Sequence, residues 1–249
     1  MTNALGYIRK KIAVIVPSTN TTVEADFNSM APEGITFHTG RIMLEDIRMS
    51  DNDLFNNLLE QLRRNLPQAI ERVMTCRPDF IIMGMSGETF VGGKEGNKRF
   101  EENVRNLSGG LNVYTGAHAT HMALQKYGAK RLAIITPYQP PGDEQVYKFF
   151  TDYGYDVKVI KGLKIKDAVA ISQVPESQLR DVILEINGPD VDAIVQCGTN
   201  MSMVRLADAA ERFLGKPVIA INTATLWYAL RSEGIMDKMD GVGSLFRDF

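Results

Sequence analysis

The amino-acid sequence predicts an α/β protein made of two pseudo-symmetric halves, each a doubly wound, Rossmann-like parallel sheet. Apolar runs of strand length alternate with amphipathic segments of helix length along the 249 residues, a rhythm typical of parallel sheets covered by helices. The runs are continuously apolar, as expected of strands buried on both faces. The order of strand, proline-containing segment and helix also occurs twice. We therefore expect the functional site in the cleft between the halves, beyond the carboxyl ends of the strands.

Five apolar runs have the length of buried strands. They are Lys11–Val16, Asp79–Met83, Arg131–Ile135, the run from Asp192 that ends at Val195, and Pro217–Ile221. The residues directly after a strand are called its tip below. The first and third tips contain a proline, and the second and fourth contain a glycine. This repetition predicts that one βα module faces its copy, with a site that draws on four tips.

Amphipathic stretches between these runs predict the helices. The stretch Leu54–Met74 carries apolar residues at steps of three and four, and Pro67 should kink or divide it. The other predicted helices are Asp143–Tyr153, Glu176–Ile186, Met203–Leu214 and Thr223–Ser232. We place the first half at residues 1–117 plus 220–249 and the second half at residues 118–219.

Composition excludes several classes of protein. A formal net charge of -2 and 44% hydrophobic residues indicate a globular protein without the basic surface that nucleic-acid binding requires. No apolar run approaches the ~20 residues of a membrane helix, and the N-terminus lacks a signal-peptide core. We therefore expect a cytoplasmic protein that binds neither nucleic acid nor membrane.

The two cysteines occupy different places in the predicted sheets. Cys197 closes an apolar run and is followed by Gly198, so its thiol should face the cleft as a candidate proton donor or nucleophile. Its alternative role is core packing, because cysteine is often fully buried. Cys76 precedes the Asp79 strand and so belongs at the opposite end of the sheet, where packing is expected. The pair forms no metal-ligand spacing.

Several of these segments resemble the aspartate/glutamate racemase superfamily, in the branch of maleate cis–trans isomerases and arylmalonate decarboxylases. Pro17–Glu24 is similar to the first-strand motif of maleate isomerases, and Thr136-Pro137-Tyr138 and Cys197-Gly198 also match the branch. Gly84–Gly93 is more similar to the loop of the decarboxylases. The likeness covers nearly the whole chain, and the resemblance implies a monomer or a small homo-oligomer.

The resemblance implies a reaction through an enediolate without a cofactor or metal. The racemases and maleate isomerases place one cysteine in each half, whereas Met85 takes the first-half position in this chain. Racemisation needs a base on each face of the intermediate, and Met85 is neither acid nor base. The favoured prediction is therefore decarboxylation of a malonate-type acid, with Cys197 protonating the intermediate. The alternatives are maleate cis–trans isomerisation using Cys197, and a carboxylate-binding protein without catalysis.

The residues around Cys197 offer donors for the charge that develops on the substrate carboxylate. Ser86 and Tyr138 have hydroxyls, backbone N–H groups are available at Ser86, Gly87 and Gly198, and the resemblance implies that Asn20 binds a carboxylate. Each residue has an alternative role: Asn20 as an N-cap, Ser86 in a turn, and Tyr138 in packing.

Further candidates rest on weaker signals. They are Met85, Glu88, His118, Thr199 and Asn200. Glu88 could be a second acid or base, or a solvated surface residue, and His118 lies three residues from His121 without a third metal ligand. An apolar wall for the substituent of a small carboxylate substrate could be formed by Met43, Met85, Phe90 and Val91.

Overall fold

The computed structural model describes residues 2–3, 6–7, 9–45 and 52–249, with side chains for all of these except 2–3, 6–7 and 52–54. The strands are β1 (Thr2–Asn3), β2 (Gly6–Tyr7), β3 (Lys10–Pro17), β4 (Ile35–Ile42), β5 (Phe80–Met83), β6 (Val113–Thr115), β7 (Arg131–Thr136), β8 (Asp156–Gly162), β9 (Ala193–Gln196) and β10 (Val218–Ala220). The helices are α1 (Val23–Ser29), α2 (Asn52–Met74), α3 (Gly87–Phe90), α4 (Gly93–Leu107), α5 (Gly116–Tyr127), α6 (Pro140–Asp152), α7 (Glu176–Ile186), α8 (Val204–Leu214), α9 (Ile221–Ser232) and α10 (Ser244–Asp248). A 3-10 turn, Ala170–Gln173, lies between β8 and α7.

Two four-stranded parallel sheets carry the fold. Their strand orders are β4-β3-β5-β6 and β10-β9-β7-β8. Read from its other edge, the second sheet is β8-β7-β9-β10, which is the order of the first sheet with each strand replaced by its counterpart. This repeated order confirms the predicted α/β fold of two similar halves.

Three apolar clusters cover the two sheets. Alternate residues of β3 face opposite ways: Val14 and Val16 pack in a cluster shared by both halves, whereas Ala13 and Ile15 pack beneath α2. The equivalent outer cluster of the second half lies under α7 and α8. Burial on both faces explains why the strands are continuously apolar in sequence.

The predicted strands all form, with ends that differ by at most one residue. The predicted helix Glu176–Ile186 has the observed bounds of α7. Pro67 does not divide α2, which continues as one helix from Asn52 to Met74. The boundaries of the two halves stay a prediction; the strands of the first sheet lie between residues 10 and 115, and those of the second between 131 and 220. No helix in the described part of the chain has the length and apolar character needed to cross a membrane.

Candidate active site

A cavity of about 90 Å³ lies where the carboxyl ends of the two sheets meet. The tips of β3, β5, β7 and β9 all contribute to its lining, with Pro17, Thr19, Asn20, Met85, Ser86, Gly87, Pro137, Tyr138, Gly198, Thr199 and Asn200. The rest of the lining comes from α2 and two loops, with Leu44, Phe55, Leu58, Leu59, Leu62, Ala168 and Ile171. Polar groups from both halves thus meet apolar side chains from the first half and from the loop before α7.

Ser86 and Tyr138 join the two halves at this cavity. Their hydroxyl oxygens lie 2.6 Å apart, and the backbone N–H of Thr199 donates to Ser86 Oγ at 3.1 Å. Burial raises the pKa of Tyr138, opposed by the hydrogen bond to Ser86 and supported by negative charge on Cys197 and Asp143. Tyr138 therefore stays a neutral hydroxyl, available as a hydrogen-bond donor.

Asn20 lines the cavity and also holds the start of α1. Its Oδ1 accepts the backbone N–H groups of Thr22, the N-cap position, and of Val23, both at 3.0 Å, so it acts as a side-chain cap two residues ahead of that position. This cap fixes which amide atom is the oxygen. The Nδ2 group is left to donate to Thr199 Oγ1 at 3.4 Å and to any acceptor in the cavity.

Asn200 holds three segments together. Its Oδ1 accepts the backbone N–H of Thr21 at 2.9 Å, and its Nδ2 donates to the carbonyl oxygen of Ala168 at 2.9 Å and to that of Thr19 at 3.4 Å. Asn200 therefore lines the cavity, but its side-chain polar atoms are used to bind the β3 tip and the loop before α7 to its own tip.

Cys197 lies directly after β9 and is completely buried. Its backbone N–H donates to the carbonyl oxygen of Ile135 at 2.8 Å. Among the described residues, Gly198 and Thr199 line the cavity and Cys197 does not, so its thiol packs immediately behind the lining. Burial raises its pKa well above the ordinary value, and the negative charge of Asp143 raises it further.

Asp143 is an acid near this thiol that sequence reasoning missed. It lies in the first turn of α6, and its Oδ1 accepts a hydrogen bond from Thr136 Oγ1. Burial raises the pKa of Asp143 to about 6, opposed by the bond to Thr136 and the charge of Lys164. The only sequence signal was an acidic residue shortly after the β7 tip.

The register of the sheets pairs Cys197 with Gly84. The N–H of Gly84 donates to the carbonyl oxygen of Ile15 at 2.8 Å, as the N–H of Cys197 does to Ile135. Met85 then corresponds to Gly198, although the sequence match gave Met85 the thiol position. A Cβ on Gly84 would lie 2.6 Å from Val16 Cγ1, so this backbone has no room for a side chain there. Neither Gly84 nor Met85 can accept or donate a proton.

Glu88 and His118, the weaker candidates, lie outside the residues that line the cavity. Glu88 is buried, not solvated. Its Oε1 accepts from Arg63 Nε at 2.8 Å, and its Oε2 has no hydrogen-bond partner among the described residues. Burial raises the pKa of Glu88, and the bond to Arg63 lowers it. His118 stacks on Tyr228 and lies 3.7 Å from a carboxylate oxygen of Glu101.

The predicted apolar wall is formed by other residues. Of the four predicted members, Met85 lines the cavity, whereas Met43 is 58% exposed and Phe90 packs against Phe149 at a ring distance of 5.2 Å. Val91 packs against the outer cluster of the first half. The wall comes instead from α2, whose apolar stripe the sequence already showed. No group of three His, Cys, Asp or Glu side chains in the described residues is arranged to hold a metal ion.

Comparisons with known proteins match nearly the whole chain. A profile of the arylmalonate decarboxylase family matches residues 12–246. The maleate isomerase of Pseudomonas putida is 26% identical over 246 residues, which cover 94% of this chain and 96% of that protein. The arylmalonate decarboxylase of Bordetella bronchiseptica is 28% identical over 141 residues, 55% of this chain and 58% of that protein.

A solved structure has the same fold over almost its full length. It is the maleate cis–trans isomerase of Nocardia farcinica, a cysteine-to-serine mutant with a covalently bound succinylcysteine intermediate. The TM-score is 0.86 at 25% identity, with 96% of this chain and 99% of that chain covered.

Proposed function

The chain belongs to the arylmalonate decarboxylase family, and within this family we propose that it is a cofactor-independent cis–trans isomerase of maleate-type dicarboxylates. The observation that carries the proposal is the extent of the likeness to maleate isomerases, which covers 94% of the chain against 55% for the decarboxylase relative. The sequence alone favoured decarboxylation, with isomerisation as the alternative. The proposal reverses this preference, because the likeness to maleate isomerases covers more of the chain. The relatives are isomerases and decarboxylases, and a binding protein without catalysis has no support from them.

Neutral donors would bind the substrate carboxylates. The cavity offers the Ser86 and Tyr138 hydroxyls, which lie 2.6 Å apart, and the Nδ2 group of Asn20. Hydrogen bonds to a charged acceptor are stronger than those between neutral groups. One carboxylate would bind at the Ser86–Tyr138 pair, where charge develops, and the other at Asn20.

In the proposed reaction the Cys197 thiolate adds to one alkene carbon of the cis dicarboxylate. The π electrons move to the other alkene carbon and onto its carboxylate, giving an enediolate that Ser86 and Tyr138 stabilise. Rotation about the resulting single bond follows. The electrons then return, the carbon–sulfur bond breaks, and the trans dicarboxylate and the thiolate are released.

Proton NMR in deuterium oxide tests this reaction with maleate and the purified protein. Conversion of maleate to fumarate is expected, and Cys197→Ala should lower its rate at least about a hundredfold. Cys76→Ala is the matched control and should keep the full rate, because Cys76 precedes β5 at the far end of the sheet. Failure to convert maleate or an alkylmaleate, or full activity in Cys197→Ala, would overturn the proposal.

Decarboxylation of a malonate-type acid is the second candidate, favoured by the environment of Cys197. Burial and Asp143 raise the pKa of Cys197, which keeps it a thiol, the form a proton donor needs. The pairing of Cys197 with Gly84 leaves no second thiol on the opposite strand tip. In the same NMR experiment, methylmalonate would lose carbon dioxide and gain one deuterium next to the remaining carboxylate.

The pH dependence separates the two candidates. Isomerisation requires the thiolate form of Cys197, so its rate should rise with pH toward the raised pKa of that residue. Decarboxylation requires the thiol form, so its rate should stay level at neutral pH and fall as the pH passes that value. Rate profiles of the active reaction therefore assign the protonation state of Cys197.

A further inference from the structure

The cavity is electrically neutral and its two sides differ in polarity. All of its lining residues in the described part of the chain are uncharged. The polar donors come from the strand tips, at Asn20, Ser86, Tyr138 and Thr199. The residues contributed by α2 and the neighbouring loops are apolar. A ligand that matches this lining has carboxylates at one side and an apolar group at the other.

The apolar side is largely one stripe of α2. Phe55, Leu58, Leu59 and Leu62 follow one another at helical spacing and all line the cavity, because residues three and four apart share a helix face. Phe55, Leu59 and Leu62 are buried and Leu58 is half-buried. Leu44 and Ile171 extend this surface from the loop after β4 and the 3-10 turn.

Unsubstituted maleate does not use this surface. Apart from its carboxylates, maleate carries only hydrogen on its alkene carbons. A carboxylate placed against leucine side chains would lose hydration without gaining a hydrogen bond. An alkyl group placed there is transferred from water to an apolar surface. Each buried CH₂ contributes about 0.8 kcal/mol, or about a fourfold gain in affinity.

We infer that the substrate is a cis dicarboxylate that carries an alkyl group on its double bond, with the alkyl group against the α2 stripe and the carboxylates at the strand tips. The inference rests on the proposed function for the reaction, and on the lining for the substituent. It names a substrate class for which maleate is the unsubstituted parent.

Binding of saturated analogues tests the substituent without any turnover. Isothermal titration of the full chain with succinate, methylsuccinate and ethylsuccinate should give affinities that rise about fourfold from succinate to methylsuccinate and again to ethylsuccinate. Equal or tighter binding of succinate than of both alkyl analogues would overturn the inference.

Variants of α2 localise the effect. Leu58→Ser should remove the preference for ethylsuccinate over succinate while leaving succinate binding within about twofold. Leu58 is half-buried, so this change disturbs the core less than one at Leu59. Leu66→Ala is the matched control: it lies on the same helix outside the cavity lining, and its preference should be unchanged. A preference that survives Leu58→Ser and Leu59→Ala would place the alkyl group elsewhere and overturn the inference.

Turnover measurements then distinguish a failure of the substituent inference from a failure of the proposed isomerisation. Methylmaleate should be isomerised with a kcat/KM about fourfold above that of maleate. If alkylsuccinates bind better but neither maleate nor methylmaleate reacts, the substituent site stands and the proposed isomerisation fails. If maleate reacts faster than methylmaleate and succinate binds best, the isomerisation stands and the substituent inference fails.

Discussion

Ser86 Oγ and Tyr138 Oη lie 2.6 Å apart across the boundary between the two halves of the molecule. Ser86 follows β5 of the first sheet, and Tyr138 follows β7 of the second. The N–H of Thr199, on a third strand tip, donates to Ser86 Oγ. The positions of these proposed carboxylate donors are therefore set by how the two halves pack together, and not by either half alone.

Removing either hydroxyl should slow the reaction with little loss of stability. Ser86→Ala and Tyr138→Phe are each expected to lower kcat by about 10² to 10³, the usual effect of losing one oxyanion donor. The double variant should be no slower than about tenfold below the worse single variant, because the two groups act as a unit. Steady-state kinetics checks this.

The chain contains a matched control for these variants. Tyr127 and Ser244 form another tyrosine–serine hydrogen bond, at 2.7 Å, outside the residues that line the cavity. Tyr127→Phe should leave kcat unchanged within about twofold. An equal loss of activity in Tyr127→Phe and Tyr138→Phe would mean that the hydroxyl at the cavity has only a structural role.

Substitutions of Asn20 should separate its capping role from its binding role. Asn20→Asp keeps an oxygen for the N–H groups of Thr22 and Val23 and suits a helix N-terminus, but it replaces the Nδ2 donor with a carboxylate. We expect unchanged thermal stability and a rise in KM of at least about tenfold. Asn20→Ala should also lose about 1 kcal/mol of stability. Normal KM in Asn20→Asp would show that the amide does not contact substrate.

Asp143 should control the ionisation of Cys197. Its negative charge raises the pKa of the thiol, so Asp143→Asn should lower that pKa and speed alkylation several-fold at mildly alkaline pH, because the thiolate is the reactive form. Iodoacetamide kinetics in a Cys76→Ser background measures this. Asp152→Asn, at the other end of α6 and paired with Lys148, is the control; alkylation rates that change equally in both variants would contradict the prediction.

The Arg63–Glu88 pair should make stability depend on pH. Burial raises the folded-state pKa of Glu88, so the folded protein keeps this proton to higher pH than the unfolded chain does. The contribution of Glu88 to the free energy of unfolding therefore falls as pH rises from about 4.3 through the folded-state pKa. Glu88→Gln removes this dependence, which denaturant unfolding at several pH values will detect.

Loss of the Arg63 side chain should lower the free energy of unfolding only while Glu88 is charged. Arg63→Met leaves a buried carboxylate without its partner, and we expect a loss of about 1.5 kcal/mol at neutral pH that disappears at acid pH. In a Glu88→Gln background the same change should cost much less. A loss independent of pH and of Glu88 would show that Arg63 acts through packing.

The sequence predicted the elements whose signal is local. Buried central strands such as β3 and β7 are continuous apolar runs, so their positions follow from sequence. The edge strands β4 and β8 were missed because much of each is only partly buried, which leaves polar residues such as Asp156 and Lys158 in the run. The strand tips were predicted because each of them directly follows a continuous apolar run.

Features created by tertiary packing could not be read from the chain. The stripe on α2 has the spacing of a core face, and only the approach of the strand tips turns Phe55 and Leu59 into cavity walls. In the sequence Glu88 resembles a solvated residue, because its ion-pair partner Arg63 lies on another helix. The closeness of Asp143 to Cys197 likewise depends on how α6 packs beside β7 and β9.

The pairing of Cys197 with Gly84 makes the two corresponding strand tips chemically unequal. Gly84 carries no acid, base or thiol, so in either proposed reaction a proton or a sulfur atom would reach a planar intermediate from the side of Cys197 alone. A prochiral substrate held by the Ser86–Tyr138 pair would then give a single enantiomer. The handedness of the product would then follow from the lack of a reactive side chain at Gly84, without any further residue that selects one enantiomer.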